Sequence, residues 1–229
     1  MRGMLVMAIS TKEAERLVEI PSGRRWLNGI LHVPPGAPGV VTFAHGSGSG
    51  RFSPRNQFVA HVLQKAGLAT LLLDLLEEEE AEDRQKVFDI ELLAERLQSA
   101  ADWLGREPAT SALAVGYFGA STGAGAALIA AACNPAAVSA VVSRGGRPDL
   151  AGHHLSAVQA PTLLIVGGND DVVIELNEQA LRLLRCPKKL VIVPGATHLF
   201  EEPGTLEEVA HLAKEWFVRY LAVNESVPA

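Results

Sequence analysis

The stretch Leu113-Ala114-Val115-Gly116-Tyr117-Phe118-Gly119-Ala120-Ser121-Thr122-Gly123 decides how the chain folds. It begins as an apolar run typical of a strand buried on both faces, and it ends in the sequence Gly-x-Ser-x-Gly. A run of small residues over Ala124–Ala132 follows, with the length and composition of a helix. The pattern predicts a strand, a sharp turn and a helix, with Ser121 held at the exposed apex of the turn.

The same alternation continues on both sides of this turn. Strand-like apolar runs are Val40–Ala44, Thr70–Asp74, Val138–Ser143, Thr162–Val166 and Leu190–Val193, and runs with helical spacing are Asn56–Ala66, Asp89–Leu104, Leu176–Leu184 and Leu206–Leu221. Two short extended runs, Arg16–Ile20 and Trp26–Val33, precede them. Such alternation predicts an α/β fold with a mostly parallel central sheet and helices on both faces. Ligands of these sheets bind outside the carboxyl ends of the strands.

The whole-chain composition favours one globular domain. The 229 residues are 48% hydrophobic and 20% charged, which is enough to bury a core. We expect a single domain over residues 1–229, in which residues 1–12 form a flexible N-terminal extension. The net charge of -6 offers no basic surface for nucleic acid, and no stretch is apolar enough to span a membrane. Cys133 and Cys186 lack metal-ligand spacing, so we expect reduced cysteines in a cytoplasmic protein.

The serine and histidine of a hydrolytic site are suggested by their positions after strands. Ser121 is a weak nucleophile unless a base removes its proton. We expect His198 to be that base, because it follows the last strand and comes after Ser121 and a candidate acid in the chain. The other histidines lie on helices (His61, His211), on an early strand (His32) or in a loop before the acid (His153, His154). His45 begins the glycine-rich loop His45–Gly50 and is expected to make structural hydrogen bonds.

Two adjacent residues are candidates for the acid that orients His198. Asp170 and Asp171 both follow the strand Thr162–Val166, and either carboxylate would orient the histidine. The alternative role of Asp171 is to cap the helix that follows.

Backbone N–H groups are expected to stabilise a developing oxyanion. One donor is the amide of Thr122, directly after the nucleophile. The second is the amide of Ser47, with Gly46 as the alternative, in the glycine-rich loop His45–Gly50, which we call the oxyanion loop. Arg51 follows this loop where a phosphate-binding P-loop would continue with Gly-Lys-Ser/Thr, so a nucleotide site is not expected.

These motifs together resemble the small, lidless α/β hydrolases that are grouped with dienelactone hydrolase. The matching motifs are His45-Gly46-Ser47, Gly119-Ala120-Ser121-Thr122-Gly123, Gly167-Gly168-Asn169-Asp170 and Pro194-Gly195-Ala196-Thr197-His198. The resemblance implies the α/β-hydrolase fold with little or no lid, an open pocket, and ester or lactone hydrolysis without metal or cofactor. The Gly-Gly-x-Asp turn, with Val173 three places later, resembles the acid turn of that fold and selects Asp170.

One residue departs from the family pattern. Dienelactone hydrolase proper uses a cysteine nucleophile, whereas Ser121 stands here. The departure favours a carboxylesterase over a dienelactone hydrolase.

Charged residues near the same edge of the sheet suggest a substrate preference. We expect Arg51, Arg144 and Arg147 to bind an anionic group of the substrate. The alternative is that they pair with nearby acids such as Asp149 or Asp89. The acidic run 77–83 is expected to be a solvated loop.

The sequence therefore predicts a serine hydrolase that cleaves small esters or lactones through an acyl-enzyme on Ser121. A small-molecule substrate is the expected partner, and the molecule is expected to be a monomer or homodimer. Two other functions stay open: a peptidase or acyltransferase with the same triad, and a hydrolase-like binding protein without catalysis.

Overall fold

A computed structural model describes residues 15–222, which form one eight-stranded sheet in the order β1-β2-β4-β3-β5-β6-β7-β8. The strands are β1 Arg16–Ser22, β2 Arg25–His32, β3 Gly39–Ala44, β4 Ala69–Leu73, β5 Ala114–Ala120, β6 Ala140–Arg144, β7 Thr162–Gly167 and β8 Lys188–Val193. β2 is antiparallel to both of its neighbours, and every pair from β4 to β8 is parallel. The predicted mostly parallel sheet is confirmed, whereas the expected extension over residues 1–12 lies outside the described residues.

Helices cover both faces of the sheet. They are α1 Pro54–Lys65, α2 Glu78–Ala81, α3 Arg84–Val87, α4 Ile90–Leu104, α5 Thr122–Cys133, α6 Asp171–Leu183 and α7 Thr205–Leu221, with a 3-10 helix over Pro148–Ala157. Side chains of β3 alternate between two cores: Val40 packs with α4 and α5, whereas Val41 and Phe43 pack with α1 and α7. This alternation is the period of two that a strand buried on both faces requires. Within residues 15–222, no helix is both long and apolar enough to cross a membrane.

The insertions at the carboxyl edge of the sheet are short. The segment between β4 and α4 holds α2 and α3, and the segment between β6 and β7 holds the 3-10 helix. The 3-10 helix packs on α5 and α6. Neither insertion has the length of a separate lid domain.

The acidic run is mostly exposed, as predicted, but it departs from the predicted solvated loop at its centre. Its centre folds into α2, where the Glu80 side chain is only 5% exposed. The buried Arg96 guanidinium of α4 donates to both Glu80 carboxylate oxygens, at 2.6 and 2.9 Å. Lys86 donates to the same carboxylate at 3.1 Å, so the charge of Glu80 is neutralised by side chains that lie later in the chain. A run of like charges folds here because one member has a buried partner.

Helix α6 starts five residues earlier than its predicted start at Leu176. The helix also contains a polar residue in its inward-facing stripe, the fully buried Asn177. Its amide nitrogen donates to the carbonyls of Gly146 and Val173, at 3.0 and 2.8 Å. Asn177 therefore ties α6 to the segment that follows β6.

Candidate active site

Ser121 occupies a strained turn between β5 and α5. Its φ of 50° and ψ of -122° place a non-glycine residue in a conformation that L-residues rarely adopt, at a cost of about 1–3 kcal/mol. A side chain at Gly119 would come within 2.5 Å of the Ala124 Cα atom, and one at Gly123 would overlap the carbonyl oxygen of Ala44. The small residues around the serine are thus required by the close approach of β3, β5 and α5.

Hydrogen bonds hold this turn against the neighbouring strand. The Ser121 N–H donates to the Arg144 carbonyl at 3.3 Å, and the Arg147 N–H donates to the Ser121 carbonyl at 3.0 Å. The serine also begins α5, whose N-terminal N–H groups favour negative charge nearby. The site therefore holds the hydroxyl at a position where an anion is stabilised.

His198 is paired with Asp170 and lies close to the same segment. Its Nδ1 atom is 2.7 Å from the Asp170 Oδ2 atom, whereas Asp171 is exposed as the first residue of α6. A side chain added at Gly145, next to Arg144, would lie 3.6 Å from His198 Cε1. In the part of the chain that the structure describes, the Ser121 hydroxyl and His198 are not hydrogen bonded. Such pairs often tighten only when substrate binds.

Backbone and side-chain bonds join the loops that carry the acid and the histidine. The Asn169 backbone N–H donates to the Ala196 carbonyl at 2.9 Å, and the Asn169 side-chain amide donates to the Gly195 carbonyl at 2.9 Å.

Glu202 holds the residue before His198. Its carboxylate accepts from the Thr197 hydroxyl at 2.7 Å and from the Thr197 N–H at 3.0 Å, and these bonds lower the Glu202 pKa. Sequence reasoning missed Glu202 because nothing distinguishes it from its neighbour Glu201.

The two predicted oxyanion donors lie side by side, but one of them is engaged. The Ser47 N–H donates to the Thr122 Oγ1 atom at 3.1 Å. An oxyanion must therefore compete with this hydroxyl for the Ser47 amide. The link spans 75 residues of sequence, so no local pattern indicates it.

His45 makes the structural hydrogen bonds expected of it. Its Nε2 atom accepts from the Leu75 N–H at 3.0 Å, so the ring proton lies on Nδ1, which donates to the Gly46 carbonyl at 2.9 Å. Burial lowers the His45 pKa and keeps the ring neutral at neutral pH. The ring thus braces the oxyanion loop against the end of β4.

A cavity of about 560 Å³ opens beside the oxyanion loop. Its lining includes Gly46, Ser47, Asp74, Leu76, Val87 and Leu93. Gly46 connects this cavity to the serine, because a side chain at Gly46 would lie 3.0 Å from Ser121 Cβ, although Ser121 itself does not line the cavity. The α2–α3 segment contributes part of the wall, which gives this short insertion a place in the candidate site.

The three predicted substrate-binding arginines differ in their partners. Arg51 pairs with Asp74, and Arg147 forms two hydrogen bonds to Asp149, at 2.8 and 2.7 Å. Both therefore follow the alternative interpretation, in which the arginines pair with acids. Within residues 15–222, the Arg144 guanidinium has no carboxylate within 4.0 Å. The same described residues hold no cluster of three or more His, Cys, Asp or Glu side chains suited to a metal ion.

The sequence of this chain matches known proteins over most of its length. The model of the dienelactone hydrolase family matches residues 27–222. A solved structure described as dienelactone hydrolase from Anabaena variabilis is 61% identical and has a TM-score of 0.88. The match covers 90% of this chain and 98% of the Anabaena chain. Est1E from Butyrivibrio proteoclasticus, solved with ferulic acid, is 18% identical and has a TM-score of 0.77. The match covers 90% of this chain and 99% of the Est1E chain, and at this identity it supports the fold alone.

One curated relative has a different name. A Mycobacterium tuberculosis protein provisionally named a phosphoribosyl transferase is 60% identical over 204 residues. The match covers 89% of this chain but 46% of that protein. The chain thus spans about half the length of this relative.

Proposed function

The chain belongs to the dienelactone hydrolase family, and on that basis we propose that it is a serine hydrolase that cleaves small carboxylic esters or lactones. The reaction runs through an acyl-enzyme on Ser121. One observation carries the proposal: a strained serine begins α5 at the same edge of the sheet where a histidine is already paired with a carboxylate. A serine hydroxyl needs such a base to act as a nucleophile.

In the proposed mechanism, His198 removes the Ser121 proton as the hydroxyl attacks the acyl carbon. Asp170 holds the ring with its proton on Nδ1, which leaves Nε2 free to accept from the serine. The ring then donates this proton to the leaving oxygen as the ester bond breaks. Water, activated by the same histidine, hydrolyses the acyl-enzyme.

The Thr122 and Ser47 amides stabilise the tetrahedral oxyanion. The Ser47 N–H exchanges the neutral Thr122 hydroxyl for a charged oxygen, which is a stronger acceptor. The cavity beside the oxyanion loop accepts the acyl group, and its size of about 560 Å³ suits a small ester.

Burst kinetics test this proposal. We expect p-nitrophenyl esters from acetate to octanoate to give a burst followed by turnover, and Ser121→Ala to lose both by several orders of magnitude. Ser111→Ala is the matched control, since Ser111 is an exposed serine just before β5 and does not line the cavity. Absence of both burst and turnover with the wild-type protein would exclude simple esterase activity.

The other candidate functions give different outcomes. A peptidase or acyltransferase with the same residues would prefer a peptide substrate or an added acyl acceptor over water, and a binding protein would show no burst. Phosphoribosyl transfer is not proposed, because the chain matches less than half of the relative with that name. The hydrolase family model also accounts for residues 27–222 of this chain.

A further inference from the structure

Arg144 is a buried cation that no acid neutralises within the described residues. It ends β6 and is 7% exposed. Its one hydrogen bond to a side chain is a long one, from Nη2 to the Asn56 Oδ1 atom at 3.5 Å, and its Nε atom is buried without a partner. Burial of an unpaired charge costs several kcal/mol. An anion supplied from outside the folded chain would offset this cost.

The surroundings of Arg144 add to the positive charge. Burial lowers the Arg144 pKa, and the nearby Arg55 guanidinium on α1 lowers it further, to about 10. Arg144 stays protonated at neutral pH nonetheless. Glu201 lies 3.5 Å from Arg55 with its side chain 65% exposed, and it is not within 4.0 Å of Arg144. This exposed carboxylate therefore pairs with Arg55 and leaves the Arg144 charge unpaired.

Arg144 lies on the histidine side of Ser121. β6 is next to β5 in the sheet, and the Arg144 carbonyl accepts from the Ser121 N–H. The Arg144 Cζ atom is 6.0 Å from the centre of the Phe200 ring, two residues after His198. The cavity lies on the opposite side of the serine, at the ends of β3, β4 and β2. The histidine gives its proton to the leaving group, so the leaving group departs on the side of Arg144.

We propose that Arg144, together with Arg55, binds a carboxylate or phosphate on the leaving-group part of the substrate. The assignment of the leaving group rests on the proposed function. The preferred substrate is then an ester whose alcohol part carries an anion. Attack by Ser121 breaks the acyl carbon–oxygen bond, the leaving oxygen takes the proton from His198, and the anionic alcohol is released.

Matched ester pairs test the proposal through kcat/KM. The pair with the anion on the leaving group is 4-acetoxybenzoate against its neutral methyl ester, with 4-acetoxyphenyl phosphate as the phosphate analogue. The pair with the anion on the acyl group is phenyl hydrogen succinate against phenyl butyrate. We expect the wild-type protein to prefer the anionic leaving group, by about 10- to 100-fold for one charge-assisted contact.

Arg144→Met is expected to abolish this preference, and Arg144→Gln serves the same purpose if the methionine variant does not fold. Arg182→Gln, which removes one exposed charge on α6, is expected to keep it. A wild-type protein without preference, or an unchanged preference in the Arg144 variants, overturns the proposal. A preference for the anionic acyl group places the anion on the wrong side and overturns it too.

Thermal unfolding separates this proposal from the proposed function. Inorganic phosphate should raise the Tm of the wild-type protein but not that of Arg144→Met, whether or not the protein hydrolyses esters. Without phosphate, Arg144→Met should be at least as stable as the wild type, because it removes an unpaired buried charge. A lower Tm of Arg144→Met, together with an equal loss of activity on all four esters of the two matched pairs, would show that Arg144 has a structural role instead.

Discussion

Replacing Glu80 by glutamine removes the carboxylate that pairs with the buried Arg96. Both side chains are 5% exposed, and the hydrogen bonds to Arg96 lower the Glu80 pKa from its ordinary value of 4.5 to about 2. A pKa difference of one corresponds to about 1.4 kcal/mol, so this change corresponds to about 3 kcal/mol of folding free energy. Loss of one partner from a buried ion pair costs a similar amount, about 3–5 kcal/mol.

The loss depends on pH in a defined direction. A carboxyl group with a lowered pKa stabilises the fold in full above its unfolded pKa, and the contribution disappears as the pH falls through its folded pKa. For Glu80 that window runs from 4.5 down to about 2. The difference in stability between wild type and Glu80→Gln should therefore be about 3 kcal/mol at pH 7 and about half of that at pH 3.

Urea unfolding followed by far-ultraviolet circular dichroism measures both values. Glu79→Gln is the control, since Glu79 is an exposed neighbour in the same short helix and should change stability by less than about 0.5 kcal/mol. An equal deficit for Glu80→Gln at both pH values would attribute the loss to packing and refute the role of the charge. A deficit below about 1 kcal/mol at pH 7 would refute the ion pair itself.

Two further predictions concern the candidate active site. Asp170→Asn should lower kcat on p-nitrophenyl butyrate by on the order of 10³- to 10⁴-fold, because the ring of His198 loses the carboxylate that fixes its tautomer. Asp171→Asn should stay near wild type, and equal losses in the two variants would contradict the choice of Asp170. Thr122→Val should raise kcat/KM by up to about fivefold, because the Ser47 amide no longer has to break its hydrogen bond to the Thr122 hydroxyl before it binds the oxyanion. Thr122→Ser keeps that hydroxyl and should match the wild type, whereas a tenfold loss in Thr122→Val would mean that the hydroxyl assists the reaction.

The features that sequence predicts here depend on local pattern. All-apolar strands such as Val40–Ala44 alternate with helices, and a buried parallel sheet follows from that alternation. The glycines around Ser121 are predicted because strands and helix must approach closely there, and the structure gives the contacts that require them. The placing of Ser121, Asp170 and His198 at one edge follows from the common direction of their strands.

The features that sequence could not predict depend on contacts between distant residues. Glu80 finds its partner 16 residues later, on the inner side of α4, so its own neighbourhood suggests only a solvated run. Asn177 takes an inward position because the carbonyl of Gly146 needs a donor, which no helical periodicity indicates.

The partners of Arg144 and Arg147 could not be predicted from sequence either. Arg147 takes Asp149 as its partner, and Arg144 is left without a carboxylate among the described residues. The sequence places both arginines after the same strand and does not distinguish them. Only the directions of the side chains separate a paired arginine from an unpaired one.

Rapid-quench mass spectrometry of the intact protein with p-nitrophenyl butyrate tests the central claim most directly. We predict a species heavier by one butyryl group, with the added mass on the peptide that contains Ser121. The adduct should form within the burst, disappear as turnover ends, and be absent from Ser121→Ala. Turnover without an adduct, or an adduct on another residue, would contradict the acyl-enzyme on Ser121.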